Sequence, residues 1–532
     1  MNIKQIHNPV LKGFHPDPSI LRVGEDYYIA TSTFQWFPGV QIYHSTDMRH
    51  WELISRPLDE KRLLDMTGVP DSGGVWAPCL SYSEGIYYLV YSNVRSYRNN
   101  YYDIDNFLTT GRSITGPWSD PVYLNSSGID PSLFHDDDGK KYVVNMLYNH
   151  RNKELAFDGI VLQQYDEAGK CMTGKPIKIF AGSQIGTTEG PHLYKINGMY
   201  YLMCAEGGTF YDHAVTIARS ENITGPYEIS PYHPLMTSKD HPELVLQKCG
   251  HGSLVETQAG EWYVAHLCGR PNGNHKRCML GRETAIQKVR MTKDGWFVLD
   301  NEEQLPQVDV SAPELPESSM KNPPVTQKFP GELPVEFQTL RIPLGKEWLN
   351  FNEEKQTLIL YGKESMESLH LQSLVGRRRE HFTFTSETKI LFCPDNYQQM
   401  AGMALYYDTT NYFYLNITWD EKKGRVLSVL ENNHGVIQNS GVVCQLRNDD
   451  SPVYLRMKVH NSELQFYWSE DGTQYHKIGE VLDATQLSDD YYDEVKTGLR
   501  FTGTFIALCC QDLSGQCCPA EFEYFTYVPT EE

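Results

Sequence analysis

Short apolar runs and hairpin turns recur at a regular interval through the first half of the chain. Five segments share one order: a tight turn, an apolar strand, a hairpin turn and an aromatic strand. The alignment of these segments has a first column of Pro18, Pro78, Pro131, Pro191 and Gly252, and a second column of Tyr28, Tyr88, Tyr142, Tyr201 and Tyr263. Successive copies start 53 to 61 residues apart. A repeat of this length made of short strands predicts one β-propeller blade per copy, and therefore five blades.

The pattern changes after residue 310. Residues 311–334 are rich in proline, serine and glutamate, which predicts a linker. Residues 335–532 contain alternating or apolar runs of five to ten residues separated by Asn, Asp and Gly, which predicts a β-sandwich. We therefore predict an all-β chain with a propeller over 1–310 and no long helix. A non-repetitive β-sandwich is the alternative for the first half, and agreement at five places argues against it.

Composition narrows the setting in which the protein acts. The 532 residues suit two or three domains, and the 47 basic and 68 acidic residues give a net charge of −21. This balance argues against nucleic acid or an anionic membrane as a partner, and it permits homodimers or homotetramers without requiring them. No apolar run reaches the ~18 residues of a membrane span, and the N-terminus lacks the apolar core of a secretory signal. Twelve cysteines without a CxxC pair then predict reduced thiols and a cytoplasmic protein.

Candidate chemistry comes from the five turns that begin the repeats, because equivalent ends of the innermost strands of a propeller converge on its axis. The residue before the first column is Asp17, Ala77, Asp130, Gly190 or His251, and one step earlier stand Trp76 and Glu189. Three blades therefore offer a carboxyl group, and the other two offer an indole and an imidazole. Three unpaired acids are costly to bury by chance, so their convergence predicts a site.

Two chemistries fit three acids on one axis. Glycoside hydrolysis needs a carboxylate that activates water and a carboxylic acid that protonates the leaving oxygen. A divalent cation site needs hard oxygen ligands. Taken singly, Asp17 and Asp130 also fit turn residues, and Trp76 and His251 also fit core residues.

Two further charged runs are interpreted as structural. Asp136, Asp137 and Asp138 resemble an acidic metal loop, but they lack the glutamate spacing of a calcium site, which favours a solvated hairpin turn. Arg377, Arg378, Arg379 and Glu380 form a short charge run in the second half, which predicts a solvent-exposed face.

The combined motifs resemble those of glycoside hydrolase family 43 β-xylosidases that carry a C-terminal concanavalin-like β-sandwich. The matching segments are NPVLKGFHPDPSI, STFQWFPGVQIYHSTDMRHWELI, GVWAPCL, GIDPSLF, TTEGPHLYK, GHGSLVE and CMLGRETAIQ in the first half, with LRIPLGKEWL and GLRFTGTFIALCCQD in the second. The likeness covers nearly the whole chain. It implies a five-bladed propeller with an axial pocket, in agreement with the repeat count.

The resemblance also implies roles for individual residues. Asp17 matches the general base, Glu189 the general acid, and Asp130 the residue that modulates the pKa of the acid and orients it. Arg282 matches an arginine that binds substrate hydroxyls. Other positions match pocket-lining residues, namely Phe34, Trp76, Ala77, Thr209 and His251. Phe505, with Phe501 as the alternative, matches a residue that a loop of the sandwich contributes to close the pocket.

The activity implied is inverting removal of D-xylose from the non-reducing ends of short β-1,4-xylo-oligosaccharides. The family also contains α-L-arabinofuranosidases, so that activity stays open as a side activity or as the main one. A carbohydrate-binding propeller without catalysis is the alternative of a different class. No cofactor is required in this interpretation, although an axial calcium or other divalent cation near His251 stays open.

Overall fold

The protein is described by a computed structural model that covers residues 4–98, 101–152, 156–301, 303–318, 324–495 and 498–530. It divides into two compact units. The first comprises Met1–Arg270 and Arg282–Met320, and the second comprises Pro271–Gly281 and Lys321–Glu532. The segment Pro271–Gly281 therefore lies within the range predicted for the propeller, 1–310, but belongs to the second unit. Part of the predicted linker, residues 319–323, lies outside the described residues.

The first unit contains five antiparallel sheets that follow one another along the chain, which confirms the predicted five-bladed propeller. In chain order the strands are β1 (Gln5–His7), β2 (Ser19–Val23), β3 (Asp26–Thr31), β4 (Trp36–Phe37), β5 (Gln41–Ser45), β6 (Glu52–Ser55), β7 (Gly74–Ser83), β8 (Ile86–Arg98), β9 (Tyr101–Gly111), β10 (Val122–Asn125), β11 (Ser132–His135), β12 (Lys141–Tyr148), β13 (Phe157–Asp166), β14 (Cys171–Phe180), β15 (Glu189–Ile196), β16 (Met199–Glu206), β17 (Ala214–Ser220), β18 (Glu228–Ile229), β19 (Met236–Thr237), β20 (Gln247–Glu256), β21 (Trp262–Gly269), β22 (Glu283–Met291), β23 (Phe297–Leu299) and β24 (Asp309–Ser311). The blades are β2-β3-β5-β6, β7-β8-β9-β10, β11-β12-β13-β14, β15-β16-β17-β18 and β20-β21-β22-β23, and β1 pairs with β24.

Hydroxyl groups just after the first alignment column join neighbouring blades. The amide of Leu80 donates to Ser19 Oγ at 3.0 Å, and the amide of Ile20 donates to Ser253 Oγ at 3.1 Å. Ser132 Oγ donates to the carbonyl oxygen of Pro191 at 2.6 Å. These bonds satisfy backbone amide and carbonyl groups of the inner strands that have no hydrogen-bond partner within their own sheet. The short Pro-Ser and Gly-Ser sequences therefore hold the inner strands together around the axis.

The second unit is built from two antiparallel sheets, as predicted for a sandwich. Its strands are β25 (Thr326–Gln327), β26 (Phe337–Leu340), β27 (Leu349–Asn352), β28 (Thr357–Tyr361), β29 (Ser373–Arg378), β30 (Phe384–Phe392), β31 (Gln399–Asp408), β32 (Asn411–Asp420), β33 (Gly424–Asn433), β34 (Val436–Gln445), β35 (Val453–His460), β36 (Glu463–Ser469), β37 (His476–Asp483), β38 (Phe505–Asp512) and β39 (Pro519–Pro529), with a 3₁₀ turn (Ala484–Gln486) and a helix α1 (Asp489–Val495). One sheet has the order β27-β28-β39-β30-β35-β36-β37, and the other contains β34-β33-β32-β31-β38-β29-β26. Along β30, buried and half-exposed residues alternate strictly, as expected of a strand with one face on the core.

The predicted solvent-exposed face for the run Arg377–Glu380 is wrong. Arg377, Arg378 and Arg379 are buried, and β29, which ends at Arg378, lies between β38 and β26 inside its sheet. The guanidinium of Arg379 donates to the carbonyl oxygens of Phe382 at 2.9 Å and Asn461 at 2.8 Å. The run Asp136–Asp138 forms the predicted hairpin turn between β11 and β12, with Asp137 and Asp138 exposed. The carboxylate of Asp136 instead accepts hydrogen bonds from Lys195 and Tyr200 of the next blade.

No helix among the described residues is long and apolar enough to cross a membrane.

Candidate active site

The five turns that lead into the inner strands share one unusual backbone conformation. The residue before the alignment column has a positive φ in every blade: 56° at Asp17, 35° at Ala77, 56° at Asp130, 56° at Gly190 and 51° at His251. A left-handed backbone is unfavourable for residues with a side chain and is concentrated at functional sites. The five positions singled out from the sequence are thus equivalent in the structure as well.

Asp17 is buried, and its two oxygens have different partners. Ser32 Oγ donates to Oδ2 at 2.6 Å and accepts the amide of Ala77 at 2.7 Å. Arg282 Nη1 lies 3.3 Å from Oδ1, and His251 Nδ1 lies 3.8 Å from the same atom. The carboxyl group is therefore fixed between a hydroxyl on one side and two nitrogen groups on the other.

Asp130 and Glu189 interact through the backbone that carries the second acid. The amide of Gly190 donates to Asp130 Oδ2 at 2.9 Å. Burial raises the pKa of Asp130 to about 6, and the charge of Asp17 adds to this shift while His251 opposes it. Burial also holds the pKa of Glu189 well above its usual range, with further increases from the charges of Asp130 and Asp17. Glu189 is consequently the acid of the three most suited to keeping its proton.

Aromatic rings and a guanidinium adjoin the acids. The Arg282 guanidinium lies 5.3 Å from the centroid of the Phe34 ring, and that ring lies 5.8 Å from the Trp76 ring. The amides of Phe34 and Val75 donate to each other's carbonyl oxygens, and Trp76 Nε1 donates to the carbonyl oxygen of Ser72 at 2.9 Å. These bonds hold Phe34 and Trp76 in place from two different blades.

Gly190 shows why the fourth blade carries its acid one residue early. A Cβ at Gly190 would lie 3.1 to 3.3 Å from the ring atoms of His251. The imidazole therefore occupies the space that a side chain at this turn position would need. The carboxyl group of this blade stands instead at the preceding position, Glu189.

The remaining predicted pocket residues differ in what the structure shows. Ala77 is buried at its turn, beside Ser32. Thr209 lies half-buried in the loop after β16, and none of the described contacts joins it to the three acids. Phe505 begins β38 of the second unit, where its side chain is fully buried and Phe501 is buried as well. The part assigned to Phe505 in closing the pocket stays a prediction.

Sequence reasoning missed two residues near the acids. Ser32 directly follows β3, and nothing in the repeat spacing distinguishes it from the corresponding Ser92 or Met146 of other blades. Tyr102 lies on β9, and its pKa is raised by burial and further by the charge of Glu189, so its phenol is within electrostatic reach of that acid. The aromatic richness of β8 and β9 is the signal that could have indicated Tyr102.

An axial calcium or other divalent cation near His251 stays a prediction. Within the described ranges, no group of three or more His, Cys, Asp or Glu side chains is arranged to hold a metal ion. We therefore assign no chemical step to an axial cation.

Taken together, the site combines the fixed carboxyl group of Asp17, the raised pKa of Glu189 and a third acid, Asp130, that interacts with both. It adds a guanidinium fork and aromatic faces. Such a set can activate water at one atom and deliver a proton to another. The aromatic faces and the guanidinium suit a sugar ring with its hydroxyl groups.

Comparison with known proteins agrees with this chemistry. Residues 6–297 match the family described as glycosyl hydrolases family 43, and residues 327–528 match the β-xylosidase C-terminal concanavalin A-like domain. A β-xylosidase of Bacillus subtilis is 46% identical over 98% of this chain and 99% of its own length. Xylosidase/arabinosidase 43B of Humicola insolens is 45% identical over 99% of this chain and 98% of its own. The crystal structure of a xylan β-1,4-xylosidase from Bacillus halodurans superposes with a TM-score of 0.96, at 49% identity over 98% of this chain and 100% of that one.

Proposed function

The chain belongs to glycosyl hydrolase family 43, and on this premise we propose that it is an exo-acting β-xylosidase. It removes D-xylose from the non-reducing ends of short β-1,4-xylo-oligosaccharides, with inversion at the anomeric carbon. The observation that carries the proposal is the convergence of three buried acids, Asp17, Asp130 and Glu189, from the inner turns of three blades. Burial and the charges of the other two acids raise the pKa of Glu189. The β-xylosidase and xylan β-1,4-xylosidase named among its relatives support the substrate class.

Asp17 acts as the general base in this mechanism. Its carboxylate takes a proton from a water molecule, and the oxygen of that water attacks the anomeric carbon from the face opposite the leaving group. The hydroxyl of Ser32 and the guanidinium of Arg282 hold the carboxylate in place. The base therefore does not have to reorient when the water arrives.

Glu189 acts as the general acid. It gives its proton to the glycosidic oxygen as the bond to the anomeric carbon breaks, which produces xylose and a shortened chain. Asp130 favours the protonated form of Glu189 through its nearby negative charge, and it holds the amide of Gly190. Inversion requires room for the water, so we expect the carboxyl groups of Asp17 and Glu189 to be ~6.5–9.5 Å apart.

Arg282 and the aromatic residues bind the sugar. The guanidinium offers a planar set of donors to hydroxyl groups, and the rings of Phe34 and Trp76 offer apolar faces to the ring of the sugar. β-D-xylose and α-L-arabinofuranose can present similar hydroxyl patterns to such a site. The Humicola insolens relative is named a xylosidase/arabinosidase, so we propose α-L-arabinofuranosidase activity as a second, weaker activity.

We place this activity in the cytoplasm. All twelve cysteines lie in described segments and are thiols rather than disulfides, which suits a reducing compartment. Short xylo-oligosaccharides are small enough to be imported, whereas polymeric xylan is not.

A paired assay tests the proposal. Wild type and Glu189→Ala are each given 4-nitrophenyl β-D-xyloside, 4-nitrophenyl α-L-arabinofuranoside and xylobiose. We expect wild type to prefer the xyloside and xylobiose, and Glu189→Ala to lose xylobiose activity far more than activity on the aryl xyloside. The nitrophenolate leaves without a proton, so this asymmetry identifies a lost general acid.

Three outcomes would contradict parts of the proposal. A wild-type preference for the arabinofuranoside overturns the main substrate. Release of internal fragments from polymeric xylan overturns the exo action. Sugar binding without cleavage of any of the three compounds favours the non-catalytic carbohydrate-binding alternative.

A further inference from the structure

Besides the three acids of the site, the first unit buries other carboxyl groups. One of them, Glu206, is fully buried and has no part in the mechanism above. It is the last residue of β16, and the residue before it, Ala205, pairs with Glu189 across the β15–β16 ladder. The sequence offers no reason for an acid at this place, since the corresponding positions of the other blades are Thr33, Asn93, Leu147 and Cys268. The hydrogen bonds of the Glu206 carboxyl group show which segment it holds in place.

Glu206 accepts three hydrogen bonds from the turn that leads into β15. The amide of Ser183 donates to Oε1 at 2.7 Å, and the hydroxyl of Ser183 donates to Oε2 at 2.5 Å. The hydroxyl of Thr188 donates to Oε1 at 2.7 Å. One carboxyl group therefore joins both ends of the turn 183–188, and the second end is the residue next to Glu189.

The same turn approaches Glu206 and its neighbours closely at two further places. A Cβ at Gly182, which has a φ of 88°, would lie 2.1 Å from Thr188 Oγ1 and 3.2 Å from Glu206 Oε1. The amide of Gly207 also donates to the carbonyl oxygen of Gly186 at 2.8 Å. Thr188 therefore packs closely against Gly182 while its hydroxyl donates to Glu206.

The backbone of Glu189 is consequently held on both sides by acids. Thr188 before it is bound to Glu206, and the amide of Gly190 after it is bound to Asp130. We propose that Glu206 is a positioning residue for Glu189, acting through Thr188 to direct the Glu189 carboxyl group at the leaving-group oxygen. This inference rests on the proposed function, because it assumes that Glu189 is the general acid.

The physical reason is the sensitivity of proton transfer to geometry. A displacement of ~1 Å in a reacting group can cost ~10²-fold in rate. Substrates with a poor leaving group need the proton and should feel such a displacement. Substrates whose leaving group departs as a stable anion should not.

The experiment uses two variants of the full chain, Glu206→Gln and Thr188→Val. Glutamine keeps the size of the side chain but replaces one acceptor oxygen by a donor, and valine removes the hydroxyl of Thr188 but keeps its shape. For each variant, kcat and KM are measured on xylobiose and on 2,4-dinitrophenyl β-D-xyloside. We expect kcat on xylobiose to fall ~10- to 100-fold and kcat on the dinitrophenyl xyloside to change less than ~3-fold, with little change in either KM.

Asp47→Asn is the matched control. Asp47 is another buried acid of the first unit that accepts turn amides, those of Arg49 and His50 at 2.9 Å and that of Ser318 at 3.0 Å. We expect this variant to lower the melting temperature while leaving the ratio of the two kcat values unchanged. Loss of turn hydrogen bonds in general would therefore not imitate the positioning effect.

The outcomes separate this inference from the proposed function. If Glu189→Ala shows the leaving-group asymmetry but neither Glu206→Gln nor Thr188→Val does, positioning by Glu206 is overturned and the proposed function stands. An equal loss on both substrates in Thr188→Val also overturns it, and this variant decides the matter if Glu206→Gln does not fold. If Glu189→Ala itself shows no asymmetry, the assignment of the general acid is what fails.

Discussion

Both units bury charged side chains, but they surround them differently. In the first unit, Asp17, Asp130 and Glu189 lie close enough that each negative charge disfavours the next, and two of the pKa values are raised. In the second unit, the Arg379 guanidinium meets carbonyl oxygens, and the buried Asp408 meets Arg500 at 2.8 Å. Removing one partner of a satisfied buried charge destabilises a fold, whereas neighbouring buried acids with raised pKa values indicate a functional site.

The largest effect that would test this contrast is on catalysis. We expect Glu189→Gln to lower kcat on xylobiose by ~10²- to 10⁴-fold, because the amide cannot give a proton. The melting temperature should stay the same or rise, since the substitution removes an acid that burial disfavours. Assays on xylobiose together with a thermal unfolding scan check both parts. A marked fall in the melting temperature would mean that Glu189 holds the fold together rather than straining it.

The opposite pattern is expected of the second unit. Arg379→Met leaves the carbonyl oxygens of His381, Phe382 and Asn461 without their donor, which should cost about 3 kcal/mol in the free energy of unfolding. The kcat of the folded protein should not change by more than ~2-fold, since no reacting group is touched. Urea unfolding and active-site-normalised kinetics measure these quantities. Unchanged stability would show that the buried guanidinium is dispensable.

A smaller effect is expected in how stability and kcat depend on pH. The raised pKa of Asp130 means that the folded chain binds more protons than the unfolded chain between about pH 4 and pH 6. Stability should therefore fall as the pH rises through this window, and Asp130→Asn should reduce that fall. The same variant removes a negative charge beside Glu189, so the alkaline limb of kcat should move to lower pH. A limb that stays in place would show that burial alone sets the pKa of Glu189.

The smallest effect is expected from removal of metal ions. Since the described residues offer no cluster of three ligating side chains, incubation with EDTA should leave kcat within ~2-fold. A large loss that calcium restores would establish the axial cation near His251 that the sequence left open. A lower melting temperature with unchanged kcat would assign such an ion to the fold alone.

The sequence predicted the five blades because the proline and tyrosine columns are local features that recur. It also placed Asp17, Asp130 and His251 together, since equivalent positions of a repeat occupy equivalent places around the axis. It did not predict the burial of Arg377, Arg378 and Arg379, because a charge run carries no signal for the oxygen atoms that accept hydrogen bonds from it, which here belong to side chains and to the backbone. Ser32 and Glu206 were missed for the same reason: their partners are distant in sequence or lie in an irregular turn.

The five left-handed turns have a consequence for how new specificities could arise. The backbone conformation at the residue before the alignment column is the same in every blade. The side chain at that residue differs: it is a carboxylate, a methyl group, a hydrogen atom or an imidazole. The five turns are thus equivalent backbone positions that accept different side chains. Which side chain stands at which turn determines the ligand that the axial site binds. A combinatorial library confined to these positions would explore different ligand chemistries without redesigning the frame.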